Sequence, residues 1–382
     1  MLTCTLVKPH DLSAHDLAVW RDMTATTPAF ASPLLSPDFA RAVADVRDDV
    51  HVAVYSRGGQ TIGFLAHHRR PDRFARPAGA PFSDYSALIT FPDPALDIRH
   101  ALKLAGIDRL HVTGLVDPHG VFGAETLAQA TPEDAYAIDL RAGQPENNVP
   151  KKHAKNINRL RRHLVDTVGE PRFLIGDRNP DHFKAMLALK RAQVQLTGLH
   201  DFLAAPWVRQ LMQNLLDAPH DGLHGCLVTL MAGDRPLMYQ FGPRLDDRAH
   251  PWVSSYDPAF AAFSPGQIFL NDCRQPLKDA GVTWYDLSTG QQHYKPAFCN
   301  SHTVVHNATV FGASSGAHLK SGFLGAAKAV QKALGPLDRM LTRVDRRMDV
   351  IASLELETGA RLRGFAYALS AAPRRWRMAE HA

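Results

Sequence analysis

The chain has 382 residues, of which 45% are hydrophobic and 21% are charged, and its formal net charge at neutral pH is +5. We therefore expect a soluble globular protein with a large core, and the length favours two domains plus an extension. No stretch approaches the roughly 20 apolar residues that cross a bilayer, and the first residues lack the pattern of a signal peptide. These features argue against a membrane-spanning helix and predict a cytoplasmic location.

Cysteine and histidine usage gives no sign of a metal site. The four cysteines are scattered along the chain without CxxC spacing, and the 20 histidines include no HExxH or similar set. Without a secretory signal, such cysteines are most simply free thiols in a reducing compartment. The sequence therefore predicts no bound metal.

Residues 1–148 alternate helical and strand patterns and form the first predicted domain. Val50–Tyr55 and Thr61–Ala66 flank the pair Gly58-Gly59, which predicts a β-hairpin. The polar run Asn147–Pro150 then marks a domain boundary.

Residues 149–168 contain a predicted helix that is crowded with basic side chains. Its cations are Lys151, Lys152, Lys155, Arg159, Arg161 and Arg162. A basic helix can bind nucleic acid, but a solvated helix that joins two domains explains the same pattern. We favour the second interpretation and expect no DNA partner.

The α/β pattern restarts in residues 169–312, the second predicted domain, and its most informative stretch is Ser264–Asn300. Ser264-Pro265-Gly266 predicts a helix start, because proline is pre-organised for the first helical turn. The helix is predicted from Gln267 to about Asp279, and a strand is predicted over Val282–Tyr285. A helix N-terminus offers backbone N–H groups and a positive dipole end, so Ser264, Gly266 and Gln267 are candidates for binding a pyrophosphate.

Near its end this stretch contains the pair Tyr294-Lys295. From Ser264-Pro265-Gly266 to this pair it resembles the acetyltransferase module of CelD/BcsL-type proteins, which act in cellulose, holdfast and other exopolysaccharide biosynthesis and are related to FemAB transferases. Further elements of the same resemblance are Phe82–Tyr85, the basic segment Asn156–His163, and the segment from Lys190-Arg191-Ala192-Gln193 to Phe202. Together these pieces span roughly residues 20 to 305.

The resemblance implies an α/β fold with two tandem GNAT-like (acyl-CoA N-acyltransferase) domains. It also implies an acyltransferase that uses acetyl-CoA or a close acyl-CoA as co-substrate, without a tightly bound cofactor, and an amino sugar or polysaccharide precursor as acceptor. One departure stands out: GNAT enzymes usually have a Q/R-x-x-G-x-G/A turn, and Gly266 is the lone glycine of this one.

Three residues are predicted to act in catalysis. Lys295 would stabilise negative charge on the thioester oxygen or on an acceptor phosphate, and Tyr294 would line the site. Asp257 would accept the proton of the attacking amine, with Asp201 as its competitor. The alternatives are a surface lysine beside a core tyrosine, and aspartates that only cap helices.

The acceptor pocket is expected between the two halves. Asp84 and Tyr85 would contribute a carboxylate and an aromatic face from the first half, and Lys190, Gln193 and Asp201 would contribute from the middle of the chain. The alternative for Asp84-Tyr85 is a turn that is packed by the tyrosine.

The C-terminal extension, residues 313–382, carries the basic character of the protein. Residues 311–382 hold 12 Lys and Arg against 6 Asp and Glu, a net +6, which leaves −1 for the rest of the chain. Such asymmetry points to an anionic partner. The predicted partner is the inner membrane face, or cyclic di-GMP bound through an RxxD pattern with Arg339, Arg343, Arg346 and Asp349. Two alternatives to an acyl-CoA-dependent enzyme remain for the whole chain. One is a FemAB-like transferase that takes its acyl group from aminoacyl-tRNA, and the other is a cyclic-di-GMP-responsive binding protein whose acyltransferase core is secondary or inactive.

Overall fold

The computed structural model describes residues 1–141, 143–144, 148–197, 199–290, 294–333 and 336–370. In the C-terminal helices it describes only the backbone of residues 327–333, 336–341, 343, 346 and 367–370. The side chains of Arg339, Arg343 and Arg346 therefore lie outside the described part of the chain.

Strands and helices alternate along the sequence. The strands are β1 (Leu2–Val7), β2 (Val50–Arg57), β3 (Gln60–Arg70), β4 (Phe74–Pro77), β5 (Ile89–Thr90), β6 (Arg109–Leu115), β7 (Thr131–Asp139), β8 (Pro171–Ile175), β9 (His224–Ala232), β10 (Arg235–Leu245), β11 (Arg248–Ala249), β12 (Val253–Tyr256), β13 (Trp284–Thr289) and β14 (Ser301–Phe311). The α-helices are α1 (Ala14–Thr26), α2 (Pro37–Ala44), α3 (Ile98–Leu104), α4 (Gly123–Gln129), α5 (Lys151–Thr167), α6 (Pro180–Leu196), α7 (Pro206–Asp217), α8 (Pro265–Asp272), α9 (Arg274–Asp279), α10 (Lys295–Phe298), α11 (Ser315–Ala333), α12 (Pro336–Leu354) and α13 (Thr358–Ser370).

Contacts within the chain divide it into two compact units. The first unit contains residues 1–132, 198–207 and 305–382, and the second contains residues 133–197 and 208–304. The predicted extension 313–382 is thus grouped with the N-terminal residues, and the predicted basic helix is α5 of the second unit.

In the first unit the strand order is β1-β2-β3-β4-β6-β14, with β5 beside β3. Neighbouring strands are antiparallel except for the parallel pair β4–β6. The predicted hairpin is confirmed: β2 and β3 are joined by Gly58 and Gly59, which both have positive φ, as tight hairpin turns of the primed types require. Trp20 of α1 stacks on Phe64 of β3 with ring centroids 4.8 Å apart, and α3 packs on the sheet through its buried Ala101 and Leu102.

The end of α12 is held against the first unit by its backbone carbonyls. Arg70 donates to the carbonyl of Ala352 (3.1 Å) and Arg47 to that of Ser353 (3.3 Å), while the Trp207 indole N–H donates to that of Leu354 (2.9 Å). These donors satisfy carbonyls that a helix C-terminus leaves without intrahelical partners. One turn earlier, Asp349 accepts two hydrogen bonds of 2.6 Å from Arg76. Burial is the largest single influence on the pKa of Asp349 and raises it. The Arg76 guanidinium acts in the opposite direction, and the pKa lies below its ordinary value.

In the second unit the strand order is β7-β13-β11-β10-β9-β8, and β12 also pairs with β10. Strand β9 is buried along its whole length. Helices α5, α8 and α9 supply one apolar cluster with the sheet, and its members include Ile157, Leu164, Ile268, Phe269 and Leu277. Helix α6 also packs on the sheet, where Phe183 meets Phe241 edge to face.

Two predictions of local structure in this unit were wrong in detail. The helix predicted from Gln267 to Asp279 is broken into α8 and α9 at Cys273. Pro276 explains the break, because it has no N–H for the carbonyl of Asp272 and its ring clashes with that carbonyl in a continuous helix. The strand predicted over Val282–Tyr285 runs instead from Trp284 to Thr289.

None of the helices in the described part of the chain is both long enough and apolar enough to cross a membrane. Among the same residues, no group of three or more His, Cys, Asp or Glu side chains is arranged to hold a metal ion.

Candidate functional site

The second unit contains an opening between strands β12 and β13, which diverge after the short strand β11 has paired with β13. Strand β13 pairs in parallel with β11, through Arg248–Trp284 and Ala249–Tyr285. The next strand, β12, continues along β10 from Phe241–Val253 to Met238–Tyr256. Among the described residues, no pairing joins β12 to β13, so the sheet opens into a V beyond Ala249.

The backbone at the point of the V explains why β12 leaves β13. Across the junction the chain stays attached to β10, since His250 N–H donates to the carbonyl of Pro243 and Trp252 N–H to that of Phe241. Gly242 faces this junction so closely that a Cβ there would lie 2.0 Å from the carbonyl oxygen of His250. A side chain at position 242 is therefore incompatible with this geometry.

Strand β13 bends away at a bulge. Its pairing register with β7 shifts between Asp286 and Thr289, and Ser288 between them has a φ of 62°. The Asp286 carboxylate accepts a hydrogen bond of 2.7 Å from the Ser288 N–H, which fixes the bend. Bulges re-aim a strand in this way and are common beside functional sites. Asp286 Oδ2 also lies 3.7 Å from Nδ1 of the fully buried His250.

Lys295 is located beneath this bulge. Its ammonium donates to the carbonyl of Thr289 at 2.6 Å and to that of Ser288 at 3.3 Å, and the residue is only 3% exposed. The buried cation therefore supports the bend of β13. Tyr294 precedes it, is 44% exposed and has a pKa that is raised by partial desolvation. The proposed actions of both residues on substrate stay predictions.

The loop after β12 leads to an uncapped helix N-terminus. Asp257 accepts a hydrogen bond from the Ala259 N–H (2.9 Å) and caps a 3-10 turn over Pro258–Phe263. Ser264 then adopts a left-handed conformation and makes no side-chain cap for α8. A methyl group added at Gly266 would have atoms of Met238 as its nearest neighbours, 4.0 Å away, so there is space beside Gly266 in the first turn of α8.

Helix α5 runs beside α8 in the same direction. His153 Nε2 lies 3.1 Å from Gln267 Oε1 near the start of both helices. Farther along, Arg161 Nε donates to Asp272 Oδ2 at 2.8 Å at the last residue of α8. The N-termini of α5 and α8 therefore lie at the same end of the pair, and their positive dipole ends are neighbours.

Lys190 of α6 reaches strand β12. Its ammonium donates to the carbonyl of Ser254 and to the side chain of Gln193, both at 3.2 Å. Burial lowers the pKa of Lys190. Two predicted acceptor-binding residues, Lys190 and Gln193, are thus at the strand that borders the opening.

The other predicted acceptor-binding residues belong to the first unit. Tyr85 is buried and lines a small apolar cavity together with Trp20 and Phe39. Asp201 accepts a hydrogen bond from the Leu203 N–H (3.1 Å) as the cap of a 3-10 turn. Asp84 directly precedes Tyr85, and its carbonyl oxygen contacts Gly114 so closely that a Cβ there would lie 1.7 Å away.

The first unit repeats the strand arrangement of the second, but its own chain bridges the opening, beside the small apolar cavity that Pro77, Ile89 and Leu110 also line. Strands β4 and β5 both pair with β3, and β6 pairs in parallel with β4 only near Phe74 and Ala75. The segment between β4 and β5 is bonded to β6: Ser86 N–H donates to Gly114 O (3.1 Å), and Val116 N–H donates to Ser86 O (2.9 Å). In the described part of the second unit no backbone segment bridges β12 and β13 in this way, and we therefore assign the candidate site to the V of that unit.

The start of α8 was predicted from the sequence, whereas the buried pair His250–Asp286 and the contact of His153 with α8 were missed. His153 is half-buried against Gln267 and Phe298. No local pattern marks these residues, because each depends on strands or helices that are distant in the sequence.

Comparison with known proteins identifies the matching part of the chain. Residues 151–296 match the family model described as "Acetyltransferase (GNAT) domain". The match runs from the start of α5 to Pro296 and includes the α8 N-terminus, both arms of the V and Lys295. This segment is similar to GNAT acetyltransferases, and the match supports an acyltransferase enzyme. Enzymes with this fold use an acyl-CoA as co-substrate. No curated protein shows significant similarity to the chain, and the narrower CelD/BcsL family is not identified.

Several solved structures resemble the chain at low identity. A tandem GNAT protein from the clavulanic acid biosynthesis pathway is 13% identical, with a TM-score of 0.46, over 82% of this chain and 100% of that one. The C-terminal domain of a putative lysylphosphatidylglycerol synthetase from Agrobacterium fabrum is 12% identical, with a TM-score of 0.43, over 81% and 96%. FemX is 8% identical, with a TM-score of 0.45, over 68% and 87%.

Proposed function

We propose that the protein is an acyl-CoA-dependent N-acyltransferase whose donor enters the V between β12 and β13, and whose acceptor is an amino sugar or a polysaccharide precursor. The observation that carries the proposal is the open, uncapped N-terminus of α8 at the end of β12, within the segment that matches the GNAT domain. Pro265 has no N–H, and the N–H groups of Gln267 and Ile268 both donate to the Ser264 carbonyl. The Gly266 N–H and the helix dipole therefore favour a pyrophosphate at this position. The CelD/BcsL resemblance supports the choice of acceptor.

The proposed reaction is direct transfer within a ternary complex. The acceptor nitrogen attacks the thioester carbon, the C–N bond forms, the C–S bond breaks, and coenzyme A leaves as a thiol after it takes up a proton. The second unit would align the two substrates and thereby reduce the entropic cost of their encounter. Hydrogen-bond donors directed at the carbonyl oxygen would stabilise the developing charge.

Asp257 is the proposed acceptor of the amine proton. It follows β12 directly and precedes the α8 loop, so it is close in sequence to both borders of the site. Its Oδ1 accepts the Ala259 N–H, which does not exhaust the hydrogen-bonding capacity of a carboxylate. Lys190 and Gln193, at the Ser254 carbonyl of β12, are the proposed acceptor contacts of this unit.

The basic extension supports a separate proposal about location and regulation. Its net charge of +6, counted over residues 311–382, favours docking on an anionic inner membrane surface, where each basic residue near the surface contributes roughly 1 kcal/mol, or binding of cyclic di-GMP. Substitution Arg346→Lys separates the two, because it keeps the charge and removes the bidentate guanidinium fork. Loss of cyclic di-GMP binding in calorimetry after this single change would favour regulation by the nucleotide. Unchanged vesicle binding after deletion of residues 313–382 would exclude the extension as the membrane-docking part of the chain.

Transfer itself is tested with labelled acetyl-CoA and a panel of amino sugars and amino-sugar nucleotides. Acetyl transfer to one of these acceptors, above the hydrolysis that is seen without acceptor, is the expected result. A parallel incubation with aminoacyl-tRNA tests the FemAB-like alternative. Transfer from aminoacyl-tRNA without any binding of coenzyme A would contradict the proposal.

A further inference from the structure

Helix α11 carries two large apolar side chains on its outer side. Leu319 is 77% exposed and Phe323 is 78% exposed. The two residues are four positions apart and therefore lie on the same side of the helix, and Ala326, seven positions after Leu319, is exposed on that side as well. Ala317 is buried on the opposite side, where α11 packs on the rest of the first unit. Leu319, Phe323 and Ala326 thus form an exposed apolar stripe, and a contiguous stripe of this kind marks an interaction surface.

The start of α11 is anchored to Asp108. The Ser314 hydroxyl donates to Asp108 Oδ1 at 2.7 Å, and it accepts a hydrogen bond of 3.0 Å from the Ala317 N–H, which caps the helix. Farther along the helix, Lys320 Nζ lies 3.0 Å from Asp108 Oδ2. The first two turns of α11 therefore have a fixed orientation, with the apolar stripe directed outwards.

Three cations gather around the anchored start of the helix. Besides Lys320, Arg73 places its Nε 3.3 Å from Asp108 Oδ1. The guanidinium groups of Arg69 and Arg73 both approach Gly106, where a Cβ would lie 3.7 Å from the first and 3.9 Å from the second. Among the described residues, Asp108 is the one carboxylate within ion-pair distance of any of these cations. The surface at the start of α11 therefore carries a surplus of positive charge.

The sequence of α11 indicates which kind of partner the stripe fits. Residues 315–333 contain no Asp or Glu, and they contain the lysines Lys320, Lys328 and Lys332. A second copy of the chain would bring the same cations against this surface and would be repelled. An anionic lipid surface attracts the cations and can also accept the apolar stripe, as it does for helices that lie in the membrane interface. Charge complementarity therefore favours a bilayer as the partner.

We propose that α11 lies on an anionic bilayer with Leu319 and Phe323 inserted into the lipid, while Arg69, Arg73 and Lys320 contact lipid phosphates. This inference rests on the proposed membrane docking and names the residues that make it. Docking by charge alone would be lost in high salt, because exposed charges are then screened. Insertion of apolar side chains persists in salt, because the burial of apolar surface does not depend on those charges.

The test is co-sedimentation of the full chain with vesicles of phosphatidylcholine alone, or of equal parts of phosphatidylcholine and phosphatidylglycerol. At low salt the wild type should bind the anionic vesicles about tenfold more tightly than the neutral ones, and part of this binding should persist in high salt. The variant Leu319→Gln/Phe323→Gln should bind the anionic vesicles about tenfold more weakly than the wild type and should lose the part that resists salt. Arg69→Gln should weaken the binding about fivefold at low salt and leave the part that resists salt unchanged.

Leu196→Gln is the matched control, because Leu196 is also largely exposed on a helix but belongs to the second unit. It should bind vesicles like the wild type. Urea unfolding should show nearly unchanged stability in all three variants, because they alter exposed side chains and glutamine is a good helix former.

Wild-type vesicle binding by Leu319→Gln/Phe323→Gln would overturn the inference and leave docking through charge intact. A dimer in light scattering that this variant loses, without any change in vesicle binding, would assign the stripe to a second copy of the chain instead. If the wild type binds neither kind of vesicle, the proposed docking fails first and the inference with it, whereas acyl transfer to an amino sugar is measured separately and does not depend on this result.

Discussion

Substitution of Gly266 by aspartate is expected to weaken donor binding about 10²-fold without harm to the fold. A Cβ at this position meets nothing nearer than Met238 at 4.0 Å, so the larger side chain has room. A carboxylate in the first turn also complements the positive end of the α8 dipole, a gain of about 0.3–1 kcal/mol. The same carboxylate, however, would repel a pyrophosphate bound at the helix start.

The magnitude follows from the distance between the charges. A carboxylate on Gly266 would lie about 5 Å from a phosphate bound at the helix start, where two unit charges repel by about 0.8 kcal/mol in water and about 3 kcal/mol at an effective dielectric constant of 20. The site is half-open, so we take about 2 kcal/mol and add about 1 kcal/mol for a lost hydrogen bond to the phosphate. The sum of about 3 kcal/mol corresponds to a dissociation constant about 10²-fold higher.

Calorimetry with coenzyme A measures the affinity, and urea unfolding measures the stability. Gly222→Asp is the matched control, because Gly222 belongs to the same unit and a Cβ there also meets open space. The control should bind coenzyme A like the wild type. Wild-type affinity in Gly266→Asp would refute the assignment of the donor pyrophosphate to α8, and a comparable loss in the control would point to a general effect of charge.

Three further substitutions probe the site and the first unit. Lys295→Met removes two hydrogen bonds from a buried ammonium to backbone carbonyls. This loss is partly offset because no charge is then buried, and the unfolding free energy of the second unit should fall by about 2–3 kcal/mol. Unchanged stability with turnover about 10²-fold lower would instead mean that Lys295 acts on the substrate. Asp257→Asn keeps an oxygen that can accept the Ala259 N–H, so the fold should persist. Turnover should fall about 10²-fold, and the acidic limb of the pH–rate profile should disappear. A preserved acidic limb with full turnover would exclude Asp257 as the base. Burial lowers the pKa of His67 to about 4, so the unfolded chain binds a proton more readily than the folded one. The contribution of His67 to stability is complete above about pH 6.5 and should decline as the pH falls towards 4. In urea unfolding, the stability of His67→Gln should decline less over this range, and an equal decline in variant and wild type would contradict this.

Local signals in the sequence predicted the elements that local chemistry determines. Gly58-Gly59 specified the β2–β3 turn, because two residues with positive φ suit glycine. Pro265 specified the start of α8, and the run of basic residues specified α5 as an exposed helix. Pro276 also carried the information for the α8–α9 break, although the apolar spacing through Leu277 favoured one continuous helix.

The shape of the site depends on contacts between distant parts of the chain. The V requires Gly242 against His250 and a bulge at Ser288, and neither produces a pattern in its own neighbourhood. Lys295 looked like a surface residue or a substrate contact, because its burial depends on the carbonyls of β13. Asp349 looked like part of a nucleotide motif, whereas it is paired with Arg76, 273 positions away.

Hydrogen–deuterium exchange with and without saturating coenzyme A tests the central claim most directly. We expect slower exchange at Val253–Tyr256, at the first turn of α8 and at the bend of β13, because the ligand would cover these backbone amides. Exchange between β4 and β5 of the first unit should be unaffected, since the Ser86 backbone bridges that opening through its hydrogen bonds to Gly114 and Val116. Protection confined to the first unit, or no protection at β12 and α8 under conditions where coenzyme A is bound, would contradict the assignment of the donor site to the second unit.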